Sequence, residues 1–363
     1  AEAFLRADEY DEFIDDPTAF LVNTWLPRFT RHLKPPGQPV TFTHNMSLIS
    51  GVLAYDLFFS TWAAKTAELV QAGVVPAVSS VLKAPLDILG DKLRGYVNLC
   101  IDLHERRDKV IAACEALMPH LFNIVAGGAD PQRNIPSIIW MHRGCVPFIS
   151  PRDFESIYWA TLKPIIEELW ARGQQLVLYA EGNWDRHLES FAELPEKSII
   201  FHVDKTDLAA AHRVLGKKFC LSGGMANDLL AHGTPDQVRS ACKRAIDTAG
   251  RDGGYIMDAS ALIMDDARIE NVKAMIDFTL DYGTYSQSTA VATSSLEEVK
   301  KVSRSEPRGI PVPKQAREPG VCVPWQEKKA DLPEIQGDER FAQGAWEKVD
   351  SLAYAFLWVN LTW

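Results

Sequence analysis

Between residues 136 and 283, short apolar runs alternate with segments of helical period. The runs span 137–141, 176–179, 198–201, 218–221 and 255–257, and each leads through a polar or Gly-containing turn. Amphipathic segments over 154–170, 206–215, 235–249 and 269–282 follow, with apolar residues at helical spacing. Nearly continuous apolar strands separated by helices are what a parallel sheet covered on both faces requires. The pattern predicts that the five runs are parallel strands of one sheet, because a helix-length crossover separates each from the next. A doubly wound sheet and a closed barrel both satisfy it.

The flanks read differently. Residues 1–34 are helical in character: Asp16 precedes Pro17 as a cap precedes a first-turn proline, and Phe20, Leu21, Trp25 and Leu26 follow as core positions. After the breaker Pro35-Pro36-Gly37, Val40 to Thr43 resemble a short strand, and a helical pattern then runs to about Gln71. Residues 73–95 suggest a strand feeding an ordered loop. Beyond Gly283, residues 284–335 are rich in Ser, Thr, Pro, Lys and Glu and read as a surface connector. Phe341, Trp346, Val349, Leu352, Phe356 and Leu357 form a helical stripe in 338–363, suited to docking on the barrel or on a second subunit. The expected organisation is a catalytic α/β domain over 1–283 and a connector with a docking helix over 284–363. No internal repeat is visible.

Composition narrows the function. The chain has 363 residues, 47% hydrophobic and 24% charged, enough apolar material for a large core. A net charge of −10 with interspersed Lys and Arg argues against a nucleic-acid or anionic-membrane surface. Cys100, Cys114, Cys145, Cys220, Cys242 and Cys322 are scattered without a CxxC pair, which predicts reduced thiols and a cytoplasmic location. No apolar run reaches the roughly 18 residues of a membrane span, so a membrane partner is not expected.

Polar residues collect just after the strand-like runs: His142-Arg143-Gly144, Glu181-Gly182-Asn183, His202 with Asp204, Ser222-Gly223-Gly224, and Asp258. In a parallel barrel the C-terminal strand ends form one rim, so these residues converge on one pocket. Glu181 and His202 are the central pair. Trp140, Tyr179, Trp184 and Met225 are candidates for an aromatic wall, with Trp184, in a turn, preferred over Trp140 and Tyr179 inside strands. His44 and Asn45 follow the strand-like run at 40–43 and are further candidates. His187, His212 and His232 lie on or beside helical segments and read as solvated, as do the N-terminal acids from Asp8 to Asp16.

The segment from Met141 to Gly283 resembles the uroporphyrinogen decarboxylase superfamily, whose members are TIM barrels. The resemblance is carried by Leu215-Gly216-Lys217-Lys218, Cys220-Leu221-Ser222-Gly223-Gly224 and the stretch from Leu230 to Val238. Gly253-Gly254-Tyr255-Ile256-Met257 and the stretch from Glu270 to Met275 continue it. Within that superfamily the chain is more similar to corrinoid-dependent aryl O-demethylase methyltransferases, through Met141-His142-Arg143-Gly144, residues 154–163, Glu181-Gly182-Asn183 and residues 201–207, with support from Ala84-Pro85-Leu86-Asp87 and Leu93-Arg94-Gly95. The fold implied is α/β, a TIM (β/α)8-type barrel with a C-terminal extension. About six strands are visible where eight are expected, and no run before Asp8 supplies the usual first strand. That count implies a barrel lacking its N-terminal strands. Where thiol methyltransferases of the superfamily carry a His-x-Cys zinc pair, this chain has Tyr179-Ala180-Glu181, so a thiolate zinc site is absent.

The resemblance implies methyl transfer from a methoxylated aromatic or related small ether to the corrinoid (cobalamin) of a separate protein. Glu181, His202 and His142 are the expected catalytic residues, with Arg143 and Asp204 orienting ring substituents. Removal of a methyl group from an aryl ether needs a Lewis acid or a proton donor at the phenolic oxygen. Glu181, His202 and Asp258 are acceptable zinc donors, with Glu167 a weaker third ligand, and the same Glu and His could instead act by hydrogen bonding without metal. Two other readings remain open: a tetrapyrrole decarboxylase, for which Arg143 and Arg186 are few cations, and a non-catalytic binding protein. A homodimer is compatible with the C-terminal stripe.

Overall fold

A computed structural model of the chain describes residues 4–35, 37–284, 304–313 and 317–362. Six strands lie among them: β1 (Val81–Lys83), β2 (Ser137–Met141), β3 (Leu176–Ala180), β4 (Ile199–Val203), β5 (Cys220–Met225) and β6 (Tyr255–Ala259). The chain divides into two compact units, Ala1–Gly128 with Ile310–Trp363, and Ala129–Gly309. The boundary expected at 283 is thus replaced by a discontinuous first unit and a continuous second one.

The second unit is an α/β, TIM-barrel-like arrangement. β2 pairs with β3, β3 with β4, β4 with β5 and β5 with β6, every pair parallel, as the helix-length crossovers require. Side chains alternate between faces along each strand. Ile139, Met141, Leu178, Ala180, Phe201, Val203 and Leu221 are buried on one face. On the other, Ile138, Trp140, Val177, Tyr179 and Ile200 are only half-buried.

Local chemistry starts the crossover helices. Thr234 and Gln237 form a capping box at Pro235–Ala245: Thr234 Oγ1 accepts from the Gln237 N–H at 3.3 Å, and Gln237 Oε1 accepts from the Thr234 N–H at 2.8 Å. Asp207 caps Leu208–Leu215 by accepting from the Ala210 N–H at 2.6 Å. Val238 and Cys242 pack with Ala274 and Met275 of Ile269–Tyr282 against Met225 and Ala259. The segments expected as single helices over 154–170 and 235–249 contain widened π turns at Phe154–Trp159 and Ile246–Gly250.

The first unit is helical around a buried ionic group. Asp102, in the helix Tyr96–Glu105, accepts from Tyr10 Oη at 2.8 Å and from Arg94 Nε at 2.5 Å, and Arg106 Nη1 adds a bond at 3.2 Å. Arg94 also donates to the Leu5 carbonyl at 3.0 Å. Burial alone pushes the Asp102 carboxyl up, but the hydrogen bonds from Arg94 and Tyr10 outweigh it and hold the group below the usual range. Further along, His120 of Arg107–Gly127 stacks on Trp358 of Glu339–Thr362 with centroids 4.4 Å apart, and its Nδ1 meets Tyr354 Oη at 2.9 Å. Burial brings the His120 pKa down to about 3, so the ring is neutral.

Several expectations change in this unit. Val40 to Thr43 do not form a strand: Thr41 and His44 make a capping box, with the Thr41 N–H donating to His44 Nδ1 at 3.0 Å, and the helix Phe42–Gln71 begins there. The cap provides backbone partners that an isolated extended segment would lack. The strand sought in 73–95 is the short β1, beyond Pro76. The C-terminal stripe holds in part: Leu357 is buried and Trp346, Leu352 and Phe356 are half-buried, but Phe341 and Val349 are exposed, and Asp350, Tyr354, Trp358 and Leu361 join the buried side. Asp350 belongs to the inner face because its carboxylate accepts from the Cys322 and Val323 N–H groups at 2.8 and 2.9 Å. The N-terminal acids are not all solvated either, since Glu9 pairs with Arg28 at 2.5 Å. Of the expected connector, residues 285–303 and 314–316 lie outside the described residues. None of the six cysteines forms a disulfide among the described residues. Contrary to the expectation of no membrane-length run, Phe42–Gln71 and Arg107–Gly127 are long and apolar enough to cross a membrane by length and composition; the second is mostly buried and the first mostly exposed.

Asp102 generates a stability prediction. Asp102→Ala leaves Arg94 buried without its counter-charge and should cost about 3–5 kcal/mol. Tyr10→Phe removes one hydrogen bond and should cost about 1 kcal/mol. Urea midpoints measured for both variants check the order, and equal losses would contradict it.

Candidate functional site

The half-buried face of the sheet carries the site. Register places Trp140 beside Tyr179, Tyr179 beside His202, His202 beside Ser222 and Ser222 beside Ile256. Two residues further along come His142, Glu181 and Asp204, each just past the end of its strand, and Asp258 within β6. The sheet therefore delivers an aromatic row and, above it, a row bearing three carboxylates.

These side chains contact one another. Trp140 Nε1 donates to Glu181 Oε2 at 2.7 Å. The Tyr179 and His202 rings stack with centroids 4.3 Å apart and planes 10° from parallel. Trp140 meets Tyr179 edge-on at 5.7 Å and His142 edge-on at 6.4 Å. Burial raises the Tyr179 hydroxyl pKa, and the charges of Glu181, Asp258 and Asp204 raise it further. Tyr179 is thus a neutral phenol within the field of all three acids.

His202 is buried and held at both ring nitrogens. Nδ1 lies 2.9 Å from Ser222 Oγ and Nε2 lies 3.2 Å from the Ser260 carbonyl. The carbonyl can only accept, so Nε2 carries the proton and Nδ1 accepts from the serine hydroxyl. Burial lowers the His202 pKa, opposed by the charges of Asp258 and Asp204 and by the Ser260 contact. The sequence marks the Ser222-Gly223-Gly224 turn but not Ser222 or Ser260 as partners of His202, because that pairing depends on the register of β4, β5 and β6. Gly223, at φ +87°, is required beside them, because a Cβ there would collide with the Val203 carbonyl and crowd His202.

The structure separates the remaining candidates. Asp204 accepts from the Gly182 N–H at 2.8 Å and orients the turn after β3. Arg143 lies over the Phe148 ring at 4.9 Å. Trp184 is not a pocket wall. It is fully buried against Phe154, Tyr158 and Phe191, and its Nε1 donates to the Glu181 carbonyl at 2.9 Å. Met225 is likewise buried, among Leu230, Val238 and Cys242 on the opposite face of β5. Its odd position beside Leu221 and Gly223 sets that face. His187 is buried rather than solvated, stacked on Phe154 at 3.7 Å, with its pKa brought down to about 4 by burial. His44 and Asn45 lie on the helix Phe42–Gln71 of the first unit, and the His44 ring is engaged by Thr41.

The donors do not fit a zinc ion. Both nitrogens of His202 already have partners, and Asp258 Oδ2 is 3.9 Å from Nδ1. Among the described residues no three His, Cys, Asp or Glu side chains form a metal-holding group. Glu167 is exposed on the helix Ala160–Ala171, away from any strand end.

The sequence matches the uroporphyrinogen decarboxylase family over residues 65–282, more than half of the chain. This chain belongs to the uroporphyrinogen decarboxylase family. No curated protein sequence matches it. Among solved structures it is similar to a methyltransferase from Methanosarcina mazei, with a TM-score of 0.46 and 19% identity, covering 60% of this chain and 62% of that one. The family match takes in β1 to β6, hence the whole row from Trp140 to Asp258.

For this uroporphyrinogen decarboxylase family member, His202 should titrate below the ordinary histidine range near 6.5, and Asp258→Asn should move it lower still. The unfolded chain then takes up the proton first, so stability contributed by neutral His202 is lost as pH falls below about 6.5. Imidazole NMR titration of both proteins checks the order. An unchanged midpoint in Asp258→Asn would show that the carboxylate does not act on the ring.

Proposed function

We propose that this chain is a methyltransferase that removes a methyl group from a methoxylated aromatic or related small ether and delivers it to the corrinoid of a separate protein. The observation that carries the reading is the junction of an aromatic row, Trp140–Tyr179–His202, with the carboxylate of Glu181 fixed by the Trp140 indole. A flat ring stacks or packs edge-on against such a row, and a carboxyl group stands beside it to handle a proton.

The corrinoid, when presented by its partner, would supply Co(I) as the methyl acceptor. The chain's own residues have the other half of the reaction. The O–CH3 bond breaks with its electron pair left on the aryl oxygen, and that oxygen must gain a proton to leave as a phenol. Glu181 is assigned as the proton donor, and the indole N–H keeps its carboxyl in place. His202, kept neutral by burial, stacks behind Tyr179 without adding a cation to the pocket. His142, edge-on to Trp140, and Asp204 border the substrate ring. Arg143 is assigned to the periphery.

Charge argues against the decarboxylase alternative. A tetrapyrrole bearing many carboxylates needs cations around it, whereas Asp204 and Asp258 both act on Tyr179 with the wrong sign, and Glu181 adds to them whenever it has given up its proton. An uncharged ether is not repelled by that field.

The test is methyl transfer from a methoxylated phenol to a reduced corrinoid protein. Turnover should saturate with the corrinoid protein, and Glu181→Gln should lower the rate by about 100-fold or more with the circular-dichroism spectrum unchanged. Full activity in Glu181→Gln, or full turnover by the isolated chain with no corrinoid, would overturn the reading.

A further inference from the structure

The first unit contains a cavity of about 570 Å3 that shares no residue with the row from Trp140 to Asp258. Its volume lies within the usual range for small-molecule sites. Tyr55, Phe59 and Trp62 of Phe42–Gln71 form one wall, and Tyr354 and Val359 of Glu339–Thr362 form another. The end of Arg107–Gly127 and the residues leading into β1 close the floor.

Three features define what it can hold. None of the nineteen lining residues is charged, in a chain where 24% of residues are. An ionised ligand would lose its water there without gaining a counter-charge. Five of the nineteen are aromatic, which favours a flat, ring-bearing ligand. Seven of the nineteen carry a hydroxyl or amide group, all uncharged, and some of these are committed to the protein itself: Ser80 Oγ donates to the Val125 carbonyl at 3.1 Å and Thr362 Oγ1 to the Val359 carbonyl at 2.8 Å. At the mouth, Phe58 and Trp62 stack 6.3 Å apart yet remain 59% and 64% exposed, apolar surface that a ligand would take out of water. Gly127 completes the space: a Cβ at this helix residue would meet nothing within 4 Å.

We propose that this cavity binds an uncharged, predominantly apolar molecule containing an aromatic ring. The site is independent of methyl transfer, and its test does not use that reaction.

The probe is N-phenyl-1-naphthylamine, an uncharged dye that fluoresces in apolar surroundings, titrated into the full chain. Binding should saturate at a single site and raise the melting temperature. Gly127→Phe and Ala355→Phe add bulk to the cavity from two different helices that line it, and each should weaken binding by about tenfold or more while keeping a cooperative melt. Leu53→Ser alters an exposed apolar residue of the same helix that does not line the cavity, and should bind as the parent does. The sulfonated analogue 8-anilino-1-naphthalenesulfonate should bind more weakly than the uncharged dye. Unsaturable binding, parent-like affinity in the filled variants, an equal loss in Leu53→Ser, or equal affinity for the anionic dye would each overturn the proposal. Dye binding that vanishes on dilution together with dimer, by sedimentation, would assign the surface to a second copy of the chain and likewise overturn it.

Discussion

Unbroken parallel register across five strands is the constraint on which the site depends. Fixing Trp140 against Tyr179 and Tyr179 against His202 brings the strand ends level, so that Glu181 and Asp204 leave β3 and β4 side by side, while Asp258 is held in β6 opposite Gly224. A slip of one residue in any strand would carry its polar residue into the core and bring a buried apolar residue to the site. The cost of burying those carboxylates unpaired is what holds the register, alongside packing of Phe201, Leu178 and Leu221 on the other face.

Within that frame His202 joins three strands. It stacks on Tyr179 of β3, bonds Ser222 of β5 and reaches the Ser260 carbonyl just past β6. The imidazole is therefore better suited to positioning than to binding metal, and the carboxylate of Glu181 has the more flexible chemistry. The family match covers this whole row, in which Trp140, Tyr179 and His202 stand beside Glu181, Asp204 and Asp258.

Much of the second unit was legible because its periodicities are strong. The span of β2 and that of the helix Ile269–Tyr282 follow from the apolar pattern, and Thr234-Pro235 announces its helix chemically. The candidate site was legible as a set of strand ends, but not in its pairings. Met225 could have been excluded by counting parity from Leu221, since both share the core face. Trp184 could not, because a turn does not dictate whether an indole points inward; only its neighbours Phe154 and Phe191 reveal that. In the first unit β-branched residues at 40–43 misled, as Thr41 uses its hydroxyl to begin a helix instead of extending a strand. The C-terminal stripe is legible only from Leu352 on, because at the start of the helix the buried position belongs to Asp350, a charge, and not to Val349.

The discontinuity of the first unit has a consequence for biosynthesis. A ribosome releases residues 129–309 as one uninterrupted stretch, so the sheet can close its register while the chain is still growing. Residues up to Gly128 emerge earlier but cannot finish their core, because His120 waits for Tyr354 and Trp358 to arrive. At ordinary elongation rates that delay is on the order of ten seconds, during which the apolar flank of Arg107–Gly127 lacks its final cover. The segment up to Gly128 is thus made before the second unit yet becomes native after it, and chaperones have their longest opportunity there.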